Sequence, residues 1–197
     1  MIINEDKLNF EFDGDKFNAI KFDDTNFYRN YFNKLPESKG VDILAKSDNE
    51  LLFIEIKDCL GHESENLWRT GVNNSQISQC KNENKRLESF DIEISKKVAM
   101  TISCLVGAYT RLSTCQSAQE LNEYVGAIQS SKIKKLNMKI YIILFLEGNF
   151  NSDPKRKSMI MKSISDSINK KLKWLNCKVL VVDMNTYNQK FFTVTRI

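Results

Sequence analysis

The sequence predicts an α/β fold in which a mixed central β-sheet is flanked by helices and preceded by an N-terminal β-hairpin. Residues 140–146 are apolar at every position, which is typical of a strand covered on both faces. Apolar residues recur at helical spacing over residues 94–112 and again over residues 160–172. Buried strands alternating with amphipathic helices favour a sheet with helices packed against it.

The first part of the chain alternates apolar and polar residues. Residues 8–12 and 17–22 both show this alternation, and Asp13-Gly14 between them supplies a turn. This pattern predicts a β-hairpin. Asp23-Asp24-Thr25 then provide capping groups for a short helix over residues 27–32.

The middle of the chain contains two apolar runs, residues 41–45 and 51–56, joined by a polar turn. These runs predict an antiparallel pair of strands inside the main sheet. Residues 58–84 are rich in polar side chains and predict a long loop that is ordered only in part.

The remaining elements alternate between helices and strands. We expect a helix over residues 94–112, and Ser117 with Glu120 forms a capping-box pattern that predicts the start of the next one. Asp153 before Pro154 predicts another helix start. Two late apolar runs are expected to complete the main sheet, at residues 179–182 and 191–194.

Composition places the chain among ordinary globular proteins, with 42% hydrophobic and 27% charged residues. The net charge of +4 is compatible with a polyanionic partner and too small to indicate one. No apolar run reaches the length of a membrane span, and no CxxC pair occurs. We therefore expect one domain, residues 1–197, in the cytoplasm, with reduced thiols at Cys59, Cys80, Cys104, Cys115 and Cys177.

The repertoire of chemical groups is narrow. His62 is the one histidine, which is too few for sites built on paired imidazoles. The sequence contains no GxxxxGK[ST], GxGxxG or GxSxG string, so no phosphate-cradling loop or nucleophile elbow is predicted. Any chemistry must use carboxylates and lysines.

Three charged residues stand out within the apolar runs: Asp42, Glu55 and Lys57. Successive side chains of a strand alternate between its faces, so Glu55 and Lys57 point to the same side. If the two strands pair antiparallel, Asp42 approaches Glu55, and together they form an oxygen site of the kind that hard divalent cations prefer. The pattern predicts a Mg²⁺ site.

An acid two residues before a lysine is a weak signal by itself. The same spacing occurs at Glu5/Lys7, Glu37/Lys39, Glu83/Lys85 and Asp153/Lys155. Only the pair Glu55/Lys57 ends an apolar strand that follows an aspartate-bearing strand, where burying unpaired charge is unfavourable. The alternative interpretation of the three charges is a cross-strand salt bridge at a sheet end.

Asp42, followed by Glu55-Ile56-Lys57 on the next strand, between a preceding and a following helix, resembles the PD-(D/E)XK nuclease superfamily. The resemblance covers roughly residues 24–146, and the residues around the motif are similar to those of small bacterial members. Val41 stands where the family name has proline. The resemblance implies a restriction-endonuclease-like core.

The resemblance implies a nuclease that hydrolyses phosphodiester bonds of nucleic acid, DNA more than RNA, in defence against phage or other foreign DNA. Its catalytic residues would be Asp42, Glu55 and Lys57. Asp42, Glu55 and the backbone carbonyl of Ile56 would hold one or two Mg²⁺ ions, with Mn²⁺ as a substitute, and Lys57 would position or deprotonate the attacking water.

Family members often add an acid from the preceding helix, for which Asp24 and Glu37 are candidates. His62, Arg69 and Lys97 are candidates for substrate binding, because all three follow the motif strand and carry groups that bind phosphate. The alternative interpretation of His62 is an ordinary loop histidine, and that of Lys97 is a solvated or snorkelling lysine.

Two other functions stay open. The chain is alternatively a catalytically silent nucleic-acid-binding or assembly module, since a fold does not guarantee an activity. It is also compatible with a subunit that is active only as a homo-oligomer or with a partner. Metal dependence separates the first alternative from a nuclease, and oligomeric state identifies the second.

Overall fold

The computed structural model of the chain describes residues 1–80, 83–129, 138–151 and 153–197. Its centre is a five-stranded mixed sheet. In spatial order the strands are β3 (Asn18–Lys21), β4 (Ile43–Lys46), β5 (Glu50–Asp58), β8 (Lys139–Glu147) and β9 (Cys177–Val182). β4 pairs antiparallel with both β3 and β5, and β8 and β9 run parallel to β5. This mixed sheet, with its helices, confirms the predicted fold class.

The N-terminal β-hairpin exists, but the predicted pairing of residues 8–12 with 17–22 is wrong. A separate antiparallel sheet has the order β1 (Ile2–Glu5), β2 (Leu8–Glu11) and β10 (Thr193–Arg196). After β2, the Asp13 carbonyl accepts hydrogen bonds from the N–H groups of Lys16 and Phe17, and this turn sends the chain to the central sheet. The prediction that residues 191–194 complete the main sheet is wrong for the same reason, because β10 pairs with β2.

The predicted long helices are confirmed. In chain order the helices of the described residues are α1 (Asn26–Asn30), α2 (Glu63–Asn66), α3 (Phe90–Thr110), α4 (Asn122–Gln129) and α5 (Pro154–Lys171). Thr25 caps α1, and the Asp153 carboxylate caps α5 by accepting the Lys155 N–H at 3.0 Å. The capping box is wrong, because the Glu120 carboxylate accepts the N–H of Phe27 at 2.8 Å and residues 116–121 form a 3₁₀ helix.

The segment predicted as a long irregular loop is ordered in its described part. It contains α2, a 3₁₀ turn (Leu67–Thr70) and a two-stranded antiparallel hairpin of β6 (Ser75–Cys80) and β7 (Glu83–Glu88). These strands carry few apolar residues, so the alternation that marks a half-buried strand is absent from their sequence.

The central sheet separates two apolar layers. Phe22, Phe53 and Leu144 face α3, α4 and α5, whereas Phe10, Ile54 and Phe145 fill the space under the small sheet. Residues 140–146 are buried throughout, as predicted. Among the described residues, no helix is both long and apolar enough to cross a bilayer. Free thiols are present at Cys59, Cys104, Cys115 and Cys177.

Candidate active site

The three motif residues converge where β4 begins and β5 ends. Asp42 directly precedes β4, and the register that pairs Ile43 with Ile54 sets Asp42 opposite Glu55. The backbone N–H of Asp42 donates to the Ile54 carbonyl at 3.1 Å, and its Oδ2 accepts the Ile56 N–H at 2.7 Å. The backbone of β5 therefore fixes one oxygen of the Asp42 carboxylate and leaves Oδ1 for other partners.

Helix α3 closes the site over β5. The Lys97 Nζ lies 2.6 Å from Glu55 Oε1 and 3.2 Å from Asp42 Oδ1, so its ammonium bridges the two carboxylates. The Lys57 Nζ lies 2.8 Å from the same Glu55 oxygen and 3.2 Å from Glu93 Oε1. Glu55 is 1% exposed. The site is thus a buried network of alternating carboxylates and ammonium groups.

Arg69 extends this network from the 3₁₀ turn after α2. Its guanidinium pairs with Glu93, donates to the Glu88 carbonyl at 3.2 Å and lies 4.4 Å from the centroid of the Phe90 ring. The cation therefore stacks on an aromatic face while its edge binds a carboxylate. Of the three predicted substrate-binding residues, the structure brings Arg69 and Lys97 to the cluster.

Burial and pairing act against each other on these groups. Burial raises the pKa of the Glu55 carboxyl to about 7 from its ordinary 4.5, although Lys57 and Lys97 favour the carboxylate. Burial also opposes the charge of Lys57, yet Glu55, Glu93 and Asp42 hold the pKa of its ammonium above the ordinary value. We conclude that Lys57 is a cation, because two carboxylates within 3.2 Å outweigh the loss of hydration.

The donor set is compatible with a hard divalent cation bound by few protein ligands. Glu55 Oε2 is buried and has no hydrogen-bond partner among the residues that the structure describes, and such an unsatisfied carboxylate oxygen is unfavourable unless a ligand contacts it. Asp42 Oδ1 on the neighbouring strand is the second oxygen. Within the described part of the chain, however, no three His, Cys, Asp or Glu side chains are gathered as a metal cluster. Magnesium commonly keeps several waters and takes one or two carboxylates.

Cationic side chains surround the carboxylates. Lys39 Nζ lies 3.4 Å from Glu88 Oε2, and Lys96 pairs with the other oxygen of Glu88. The side chains of Lys39 and Lys96 are 32% and 44% exposed, so both ammonium groups reach solvent. We call the set Lys39, Lys57, Arg69, Lys96 and Lys97 the basic rim. These five cations pair with four carboxylates, those of Asp42, Glu55, Glu88 and Glu93, so the cluster carries one excess positive charge, which is compatible with an anionic ligand.

The other predicted residues lie elsewhere. His62 is exposed in the turn before α2, where its Nδ1 is 3.6 Å from Glu65 Oε2. Asp24 pairs with Arg29, and Glu37 is exposed at a positive φ of 59°. The structure therefore does not bring His62 or the two proposed additional acids to the cluster, and the role of the Ile56 carbonyl stays a prediction.

Two acids near the site were missed from the sequence. Burial raises the pKa of Asp23 to about 6, and the charges of Asp42 and Glu5 add to this rise. Asp23 therefore lies in the segment before β4 and close enough to Asp42 for the charge of Asp42 to raise its pKa. Glu93 stands one helical turn before Lys97 on α3, and this four-residue spacing was the signal that could have placed both on the face over β5.

Comparison with known proteins gives a family and no activity. No curated protein and no solved structure was found to match the chain. The resemblance to the PD-(D/E)XK superfamily accordingly stays an expectation. One protein family does match, over residues 25–196, and its description is "Family of unknown function (DUF6661)". Because the match extends over most of the sequence, the chain belongs to this family.

Proposed function

We propose that this protein is a Mg²⁺-dependent nuclease that hydrolyses phosphodiester bonds of nucleic acid, with Mn²⁺ as a substitute metal. The observation that carries the proposal is the facing pair of carboxylates, Asp42 and Glu55, with the Lys57 ammonium 2.8 Å from Glu55 and the basic rim around them. DNA as the preferred substrate, defence against foreign DNA and a cytoplasmic location are parts of the proposal that rest on the PD-(D/E)XK resemblance.

The residues of the candidate active site have separate roles in the proposed reaction. Asp42 and Glu55 would hold a divalent cation, which would supply Lewis acidity toward the phosphate ester. Lys57, with its Nζ 2.8 Å from Glu55 Oε1, would position the attacking water and stabilise negative charge on the phosphoryl oxygens. Arg69 and the lysines of the basic rim hold the flanking phosphates.

A cleavage assay tests this proposal. Labelled single-stranded and double-stranded DNA and RNA are incubated with Mg²⁺, Mn²⁺ or EDTA and with wild-type protein, Glu55→Gln or Lys57→Met. We expect metal-dependent cleavage that each substitution reduces by about 10²-fold or more. Asp166→Asn and Lys162→Met are matched controls, because these residues form an exposed ion pair on α5 and should leave cleavage unchanged.

A silent nucleic-acid-binding or assembly module is the second candidate. It is favoured by one observation, since Lys57 and Lys97 already give Glu55 two ammonium partners from within the chain. A closed network of this kind needs no metal to balance its charge. Binding of nucleic acid without cleavage, unchanged by EDTA and by Glu55→Gln, would support this candidate and contradict the nuclease.

A further inference from the structure

We infer that Lys97 is a built-in counterion that a divalent metal must displace from the carboxylates, so that the ammonium of Lys97 limits metal affinity. The inference rests on the proposed function, because it concerns the same site. It gives Lys97 a role distinct from that of Lys57, although both lysines contact the same oxygen of Glu55.

Few carboxylate oxygens of the site are available to a metal. Asp42 Oδ2 accepts the Ile56 N–H at 2.7 Å, so Oδ1 is the oxygen of Asp42 that remains for a cation. The Lys97 ammonium already lies 3.2 Å from that Oδ1. A metal that bridges Asp42 and Glu55 therefore needs an oxygen that Lys97 holds, whichever oxygen Glu55 contributes.

The Lys97 ammonium and a bound metal would compete for the same space. Magnesium binds carboxylate oxygens at about 2.1 Å. An ammonium that hydrogen-bonds Asp42 Oδ1 at 3.2 Å and Glu55 Oε1 at 2.6 Å occupies the space between the carboxylates. Two cations in van der Waals contact in a buried site repel strongly, because the low effective dielectric does not screen them. The metal and the Lys97 ammonium consequently exclude each other.

Lys57 and Lys97 differ in their carboxylate partners. Lys57 Nζ lies 3.2 Å from Glu93 Oε1, so it keeps a carboxylate partner when Glu55 binds another cation. Lys97 makes its two hydrogen bonds with the two carboxylates that would hold the metal. Its side chain is 14% exposed and extends from α3 on a long flexible stem, so its ammonium can move away from the two carboxylates. Lys97 is therefore the cation that leaves.

Calorimetric titration of the metal-free protein with Mn²⁺ tests the inference without any cleavage reaction. We expect weak binding by the wild type and binding at least about tenfold tighter by Lys97→Met, because a competing charge is removed from the site. Lys162→Met is the matched control. It removes the same charge from an exposed ion pair on α5 and should change the affinity less than about twofold. Glu55→Gln should abolish binding.

The outcomes separate the two proposals. Equal Mn²⁺ affinity of wild type and Lys97→Met, with binding lost in Glu55→Gln, overturns the counterion role and leaves the metal site standing. Absence of binding in all variants overturns both. If circular dichroism shows that Lys97→Met is unfolded, Lys97→Gln replaces it, since an amide donor still bonds the carboxylates without carrying charge. The same tenfold gain is expected.

Discussion

Asp91 shows how one buried carboxylate holds the surroundings of the candidate site together. It is fully buried near the start of α3 and accepts hydrogen bonds from Ser89 Oγ at 2.5 Å, Ser167 Oγ at 2.7 Å and Lys171 Nζ at 2.7 Å. The backbone N–H of Asn73 donates to it at 3.1 Å. Ser89 directly precedes α3, whereas the other donors come from α5 and from the segment before β6, so Asp91 links three parts of the chain.

We predict that Asp91→Asn lowers the free energy of unfolding by about 2–4 kcal/mol at neutral pH, because it leaves Lys171 without a buried counterion. Burial opposes the charge, but Lys171, Ser89 and Ser167 hold the pKa of Asp91 below its ordinary 3.8. A lowered folded-state pKa means that the stabilisation is complete above the unfolded-state pKa and is lost as the pH falls through the folded-state pKa.

Urea unfolding at several pH values measures this effect. The deficit of Asp91→Asn relative to wild type should be constant above about pH 5 and shrink at lower pH. Asp166→Asn, which removes an exposed carboxylate of α5, serves as the control and should unfold within about 0.5 kcal/mol of wild type. A deficit that is independent of pH would contradict an ionised Asp91.

At the level of single elements, Gly40 determines how closely the strand bearing Asp42 approaches its neighbours. A Cβ at this position would lie 2.7 Å from Phe22 Cε1 and 3.1 Å from Tyr28 Cε2. The next residue, Val41, donates its N–H to Thr101 Oγ1 on α3 at 3.0 Å. The entry to β4 is therefore packed against aromatic rings and tied to the helix that carries Lys97.

We predict that Gly40→Ala destabilises the protein by about 1–3 kcal/mol, because the added methyl overlaps the buried Phe22 ring. Thermal unfolding provides the measurement. Gly107→Ala is the matched control, since a Cβ at Gly107 in α3 meets no atom within 4 Å. Alanine there should stabilise the helix by up to about 1 kcal/mol. Equal effects of the two substitutions would rule out the steric explanation.

The same elements show what the sequence could predict. The approach of Asp42 to Glu55 follows from alternation along two neighbouring strands, which is a local property. The pairing of β2 with β10 joins segments that are distant in the sequence, so local alternation in residues 8–12 and 17–22 could not reveal it. The contacts of Lys97 were not visible either, because they depend on how α3 packs over β5.

Side-chain direction in short segments was equally hidden. Asp23 and Asp24 are neighbours in one 3₁₀ turn. The orientation of this turn decides that the charge of Asp42 raises the pKa of Asp23. The sequence offered Asp24 and Glu37 as additional acids, whereas Asp24 pairs with Arg29 in the structure. Residue type and spacing thus predicted the central pair of carboxylates, and tertiary packing set the residues around them.

For the whole molecule, the distribution of charge matters more than its sum. The net charge is only +4, yet the basic rim gathers five cations around one end of β5. A polyanion would bind there by releasing its condensed counterions, and such binding weakens steeply as salt rises. Lys39 and Lys96 are the most exposed lysines of the rim and should contact phosphates outside the cluster.

We predict that the double variant Lys39→Gln with Lys96→Gln binds duplex DNA more weakly than wild type. The negative slope of log K against log salt should become smaller in magnitude by about 1 to 2, because fewer counterions are released when fewer phosphates are contacted. The glutamine amides keep hydrogen-bond donors for Glu88. Fluorescence anisotropy between about 50 and 200 mM salt, with EDTA present to prevent cleavage, measures the slope.

Lys170→Gln with Lys173→Gln removes the same charge from the end of α5 and its following turn and is the control. Equal slopes for the two double variants would place the phosphate contacts outside the basic rim, because net charge alone would then account for binding.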